Sequence, residues 1–270
     1  MTSRAAYIAG IANAQRVARD AILEVAERVR PGDTERAVAA RIEAKLAAAP
    51  VHHWLHTAYA WWGERTRFDG FRIWEWSALP SERRLEEGQC FILDVAPIVD
   101  GFPADFAYSG IAGSAESRSD HETLLAELSK LKSELLGWAK EARSAAELCR
   151  RVAQDVRAAE LDVIHTRYPA QVLGHTLEGF PNFFSQAPRI GSGFQIPLLL
   201  SYAKAIVLHH FAGAPYPFLN DGAPERPKGL FAVEPHLGRG ALGAKFESVL
   251  LVDGDETRWL DPGLFGEVVG

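Results

Sequence analysis

Apolar residues recur at helical spacing from the start of the chain. Ile8, Ile11, Val17, Ile22, Val25 and Val29 fall on one face of residues 5–30, with charge on the other face. Pro31-Gly32 stops this helix. Asp33 or Thr34 caps the next one, which runs to about Ala48 and ends before Pro50. From Val51 to Phe71 the pattern turns to aromatic and β-branched residues interrupted by Gly63 and Gly70, which predicts short strands. Phe91 to Ala96 is apolar apart from Asp94 and reads as a strand. Asp100-Gly101 is a favoured hairpin dipeptide, so a second strand from Phe102 to Tyr108 runs back along the first.

A second helical block follows. Leu124, Leu128, Leu131 and Leu135 predict a helix over residues 121–141, and the segment after Arg143 to about Ala159 is again amphipathic. Long helix, break, shorter helix and strands repeat the order of the first block, and RPGDTERAVAARI is weakly similar to EARSAAELCRRV. The pattern reads as an internal duplication, two α+β halves about a pseudo-twofold. Any two amphipathic helix pairs would look alike, so the repeat alone does not decide this. Seven of the fifteen prolines lie between Pro181 and Pro227. They define a loop-rich insert at about residues 183–230 around one apolar helix or hairpin, Ile196 to His210, and such a segment is usually functional. The chain closes with strands around Phe231–Glu234 and Lys245–Asp253, then a turn at Asp253-Gly254-Asp255. A single α+β domain over residues 1–270 is expected.

Composition narrows the function classes. The chain is 47% hydrophobic and 24% charged with a net charge of −6, ordinary for a soluble globular protein. Basic residues are scattered, which argues against nucleic acid. The first residues carry no signal-peptide pattern. Phe194 to Phe211 is interrupted by Gln195, Pro197 and Lys204, so no membrane span is expected. Cys90 and Cys149 form no disulfide framework and read as small buried apolar residues, which favours a reducing cytoplasm. A homodimer is compatible with all of this.

Candidate chemistry lies in the acidic residues of the strands. Asp94 and Asp105 are eleven positions apart across the hairpin, so antiparallel pairing brings them together on one face. Glu234 and Glu247, thirteen apart on late strands, make a second pair. His175 follows Gly174, which allows close approach of the backbone to a site. Asp94 interrupts an apolar strand and Glu234 stands in Leu-Phe-Ala-Val-Glu-Pro, and a charge on a buried strand needs a partner. Four carboxylates and one imidazole suit Mn²⁺, Fe²⁺, Co²⁺ or Zn²⁺ in a dinuclear arrangement. Two such ions about 3.5–4 Å apart share a hydroxide and polarise a carbonyl.

GQCFILDVAPIVDGFPADFAYSG resembles the first metal motif of the M24 metallopeptidases, the family of methionine aminopeptidase, Xaa-Pro aminopeptidase, prolidase and creatinase. LGHTLEGFP, FAVEPH and GAKFESVLLV are similar to its later motifs. The resemblance implies the pita-bread fold, with two pseudo-symmetric α+β halves around a curved antiparallel sheet. It also implies two divalent ions. Asp94 and Asp105 would ligate one, His175 and Glu234 the other, with Asp105 and Glu247 bridging. It covers the chain from the first helix to Leu260 and lacks a creatinase-like N-terminal domain. Three departures stand out. The family's aminopeptidases carry His-Gly about 18 residues before the first Asp, where this chain reads Ile73-Trp74-Glu75-Trp76-Ser77. Ala107 replaces a Thr, and the second family histidine falls on Asn182. The HHW…H string at His52–His56 and the EPHL string are similar to a small M24 subgroup.

The expected activity is hydrolysis of a short peptide or small amide by a metal-bridged hydroxide, with Glu234 accepting or shuttling the proton. His236 can share the face of Glu234, since residues two apart on a strand point alike, and it or a histidine of the insert would stabilise the intermediate; a surface position, or one behind the metal ligands, is the competing reading for His236. Trp76, Asn182, His209 and His210 are candidates for substrate binding; for the two insert histidines a solvated loop position is the competing reading. His52, His53 and His56 read as structural or lining residues rather than ligands. Five of the seven tryptophans, Trp54, Trp61, Trp62, Trp74 and Trp76, lie within 23 residues and predict a satellite aromatic core, a pocket wall, or both. Two alternatives stay open. One is a small-molecule metalloenzyme of the same fold, a non-peptide hydrolase, lyase or iron-dependent oxidative enzyme. The other is a non-catalytic relative, although an unused cluster of four carboxylates only costs stability.

Overall fold

Two 23-residue helices, one opening each half, organise the molecule. The computed structural model describes residues 3–68, 76–113, 119–178, 193–254 and 256–261. The first half contains α1 (Arg4–Ala26), α2 (Glu35–Leu46), β1 (Val51–Trp62), β2 (Cys90–Val99), β3 (Phe102–Pro103) and β4 (Phe106–Ile111). The second contains α3 (Ser119–Glu141), α4 (Ala145–Ala158), β5 (Asp162–Val163), β6 (Gly174–Thr176), α5 (Ile196–Ala212), β7 (Phe218–Leu219), β8 (Gly229–Val233), β9 (His236–Arg239), β10 (Leu242–Lys245), β11 (Ser248–Asp253) and β12 (Glu256–Trp259). All strand pairings among the described residues are antiparallel.

Local chemistry sets the boundaries. Thr34, not Asp33, caps α2 by accepting from the Ala37 N–H at 3.1 Å. Ser144 caps α4 in the same way through the Glu147 N–H. Asp100 and Gly101 take φ of 50° and 84°, the left-handed pair of a two-residue hairpin, and Val99 faces Phe102 across it. The expected short strands after Val51 are instead one twelve-residue strand, β1, because it pairs along β2 through several bulges rather than ending at a turn.

Each half has its own core. Alternate residues of β2, including Leu93 and Val95, pack against Ile22, Val38 and Ile42 of α1 and α2. The second core gathers Leu124, Leu128, Leu131 and Leu135 of α3 with Val152 of α4, Val233 and Phe246. The halves meet along β4 and β10. The Ser109 hydroxyl donates to the Lys245 carbonyl at 2.8 Å and accepts the Lys245 N–H at 2.9 Å, and Ala107 bridges to Glu247. That seam is where the acidic residues converge.

The apolar run of the insert is a helix, α5, with Leu198 buried inward and Leu200, Val207 and Phe211 exposed. No helix among the described residues is long and apolar enough to cross a membrane.

Two buried histidines tie stability to pH. Burial lowers both His121 and His165 to about 4, and neither ring nitrogen of His121 has a hydrogen-bond partner among the described residues. The unfolded chain then binds more protons between pH 6.5 and about 4. Their contribution is therefore fully present above pH 6.5 and is lost as pH falls toward 4. His121→Phe removes an unsatisfied imidazole from an apolar site. Thermal melts at pH 7 and pH 5 are expected to show a smaller acid loss in the variant, by roughly 1–2 kcal/mol. An unchanged pH dependence counts against the assignment.

Candidate metal centre

The acidic floor is built from five short stretches of chain. On β2 the odd-numbered positions face the helices, so Ile92, Asp94 and Ala96 turn the other way, and Asp94 is 3% exposed. Asp105 sits in the gap between β3 and β4. Its peptide is held from outside the sheet by the buried Gln15 of α1: the Asp105 N–H donates to Oε1 at 3.1 Å, and Nε2 donates to the Asp105 carbonyl at 2.7 Å. His175 lies on β6, which runs against β8 so closely that a Cβ on Gly174 would stand 2.3 Å from the Ala232 carbonyl oxygen. Glu234 follows β8 and its N–H donates to Leu173 at 2.8 Å. Glu247 lies in the break between β10 and β11, while Phe246 beside it is fully buried in the second core.

Asp94, Asp105, His175, Glu234 and Glu247 all line one cavity of about 360 Å³. His175 Nε2 is 3.0 Å from Asp105 Oδ2 and 3.9 Å from Glu234 Oε1. The ring is oriented from behind by the Tyr202 hydroxyl, 2.6 Å from Nδ1. Two further residues reach the floor: Lys245, which the sequence reading passed over, and His56, which it read as structural or lining. Lys245 Nζ lies 3.0 Å from Asp94 Oδ2, touches Glu247 Oε1, and is 3.8 Å from Glu234 Oε2. His56 Nε2 lies 3.5 Å from Asp94 Oδ1 and 3.7 Å from Asp105 Oδ1.

The floor is crowded with negative charge. Burial and the charges of Asp105 and Asp94 push the Glu247 carboxyl well above the usual carboxylate range, and burial raises Glu234 as well. Burial opposes ionisation of Asp105 too, but its contacts with His175, His56 and Glu247 outweigh it and hold that carboxyl low. Burial works against the Lys245 ammonium, yet Asp94 and Glu247 hold its pKa well above that of a free lysine. One ammonium stands among four carboxylates, and burial with the charges of Asp105 and Asp94 is what lifts Glu247 and Glu234. Asp94 Oδ1, Asp105 Oδ1 and Glu247 Oε2 are buried with no hydrogen-bond partner among the described residues. Orphaned carboxylate oxygens at this density need cations, and an oxygen-rich set with imidazole nitrogen fits hard or borderline divalent ions. The residues present therefore fit the group expected from the sequence.

The remaining expected site residues lie elsewhere. His236 does not look into the cavity. Its Nε2–H donates to the Thr66 carbonyl at 2.8 Å, which leaves Nδ1 to accept from the Tyr168 hydroxyl at 2.6 Å, and the residue is fully buried. The reason is Pro235: β8 ends at Val233 and β9 begins at His236, so strand alternation does not carry from Glu234 across the break. His236 instead sets Tyr168, whose ring covers Lys245 at 5.7 Å. His209 and His210 lie in the last turn of α5 and bond the Ala214 and Ile206 carbonyls, away from the cavity. Asn182 lies outside the described residues, as does the side chain of Trp76. Of the other tryptophans, Trp61 lines the cavity and Trp62 is buried in the first core, so both the wall and the core readings hold.

Two α+β halves closing antiparallel sheets over a carboxylate floor define the pita-bread architecture. The model of Peptidase_M24, metallopeptidase family M24, matches residues 9–254, and the chain belongs to that family. Among solved structures, the X-Pro aminopeptidase from Thermotoga maritima MSB8 is 15% identical with a TM-score of 0.67, over 96% of this chain and 62% of that one. The prolidase from Pyrococcus furiosus is 16% identical with a TM-score of 0.66, over 98% and 66%. The Xaa-Pro dipeptidase from Bacillus anthracis is 14% identical with a TM-score of 0.65, over 98% and 62%. The chain thus spans about two thirds or less of these relatives, and at such identities the likeness is one of fold. No curated protein matches.

Proposed function

We propose that the chain is a hydrolase that holds two divalent ions on Asp94, Asp105, His175, Glu234 and Glu247 and cleaves an amide bond in a short peptide or small amide. The observation that carries this reading is the set of buried, unpartnered carboxylate oxygens at the base of a cavity, in a chain of the M24 family. When bound, the ions supply an activated water and polarise the carbonyl. The chain's own side chains do the rest. Glu234 takes the proton of the attacking water and returns it to the leaving nitrogen. Lys245 holds Asp94 and Glu247 in place and keeps part of the floor neutral. Tyr202 fixes the ring of His175. The inward face of α5 roofs the cavity with Leu198, Tyr202 and Ile206 and excludes water.

The walls favour one group of substrates. Among the described lining residues every charged or imidazole side chain belongs to the floor, and the rest of the lining is mostly aliphatic and aromatic, including Leu55, Tyr59, Trp61, Phe194 and Phe218. A free peptide terminus buried there would lose hydration without a partner. This supports the second reading, a neutral small-molecule amide or ester with an aromatic or branched side, over a zwitterionic dipeptide. The protein loaded with Mn²⁺, Co²⁺ or Fe²⁺ is to be assayed on free dipeptides and on N- and C-blocked aromatic amides. Turnover of the blocked amides at least tenfold above the dipeptides is expected. Loaded protein inert toward both panels removes the hydrolase reading.

A further inference from the structure

His56 reaches the carboxylate floor by an irregularity of β1. Tyr59 faces Asp94 across the ladder, and strict alternation from Tyr59 would send His56 to the opposite side of the sheet. The register slips between Trp54 and His56 and again between His56 and Tyr59. His56 and Tyr59, three apart, therefore stack on one face with ring centroids 4.8 Å apart and an interplanar angle of 23°. Phe194 covers the ring from another side at 5.1 Å. The bulges aim a clamped imidazole at the floor.

Its tautomer follows from its hydrogen bond. Nδ1 lies 2.8 Å from the Thr57 carbonyl oxygen, which only accepts, so Nδ1 carries the proton. In the neutral ring Nε2 is then a bare lone pair. It faces Asp94 Oδ1 at 3.5 Å and Asp105 Oδ1 at 3.7 Å, both orphaned. These separations are too long for hydrogen bonds. An imidazolium paired to a carboxylate would close to roughly 2.7–2.9 Å. Three acceptors held apart around a common centre, with all three atoms within 4.8 Å of one another, describe a ligand set instead. An ion with bonds of about 2.1 Å keeps neighbouring donor atoms roughly 3.0–3.4 Å apart, so Nε2 at 3.5 and 3.7 Å from the two oxygens needs only a small closure to share an ion with them.

We propose that His56 Nε2 is a sixth protein ligand, joining Asp94 and Asp105 on one divalent ion. The proposal rests on the metal-binding reading above and adds an imidazole to an ion that would otherwise have only carboxylate ligands. It gives that ion more nitrogen character, which shifts preference from Mn²⁺ toward Co²⁺ or Zn²⁺.

The test uses Co²⁺ as the probe on the full chain. Proton NMR of the loaded protein reports each coordinated imidazole as a paramagnetically shifted, solvent-exchangeable ring N–H. Two such signals are expected, one from His56 and one from His175. His56→Phe is expected to lose one signal and to weaken one of two Co²⁺ sites by tenfold or more in equilibrium dialysis, while His175→Phe loses the other signal. A single exchangeable signal in the unaltered protein overturns the proposal without needing any variant. So does His56→Phe that binds both ions with unchanged affinity; in either case two-ion binding, and with it the hydrolase reading, survives. Unaltered protein that takes up no Co²⁺ overturns both.

Discussion

Lys245→Met is expected to lower the melting temperature of the metal-free protein by roughly 6–20 °C, and Mn²⁺ is expected to restore much of the loss. Lys245 is 3% exposed and touches or approaches three carboxylates, of Asp94, Glu247 and Glu234. Its ammonium lies 5.7 Å from the centre of the Tyr168 ring, and methionine replaces the buried side chain with an unbranched apolar one of similar length, removing the ammonium. Breaking a buried ion pair by removing one partner costs about 3–5 kcal/mol, because the other charge stays behind unpaired. In a chain of this size each kcal/mol moves the midpoint by roughly 2–4 °C. Here several carboxylates lose the same cation, and added divalent ions meet the same need for positive charge. Calorimetry with and without Mn²⁺ separates the cases. A midpoint change under about 2 °C without metal, or no recovery with it, contradicts the role given to this lysine.

Lysine in that position was readable in part. Lys245 and Glu247 are two apart and Phe246 between them is fully buried in the second core, so alternation alone puts both charged groups on the floor side. The signal was there, but a search confined to anionic ligands passes over a cation that already balances them. The convergence of Asp94 and Asp105 was legible because a two-residue hairpin fixes register, and Asp100-Gly101 selects that turn. The helices of both halves were legible from period alone, since each buries one stripe. What failed was parity across irregular backbone. His56 was read as structural or lining, and it does line the cavity; its approach to the carboxylates was hidden because no residue type in β1 announces the bulges, which arise from pairing with a partner strand some forty positions away. His236 was assigned to the site because alternation was carried through Pro235, where the strand stops. His209 and His210 were taken from a loop that is the last turn of a helix, where carbonyls bind their Nδ1 atoms.

Asp105→Ala should have the larger effect on function. Asp105 turns one oxygen to each side of the floor: Oδ2 is 3.0 Å from His175 Nε2, and Oδ1 faces His56 at 3.7 Å. It is the carboxylate that both groups of proposed ligands share, so its loss acts on both ions of the proposed pair. The Gln15 clamp holds the Asp105 peptide through backbone atoms, which alanine keeps, so the chain path at this point does not depend on the carboxylate. Amide hydrolysis is expected to fall roughly a thousandfold or more, the scale of losing a preorganised charge at the reacting centre. Elemental analysis of the dialysed variant is expected to find at most one tightly held ion where the unaltered chain keeps two. Asp105→Asn keeps the shape and removes only the charge, and it should behave like the alanine variant in metal content while melting closer to the unaltered protein. If either variant retains two ions with unaltered affinity, the floor is held by its other residues and Asp105 is not the bridge between them.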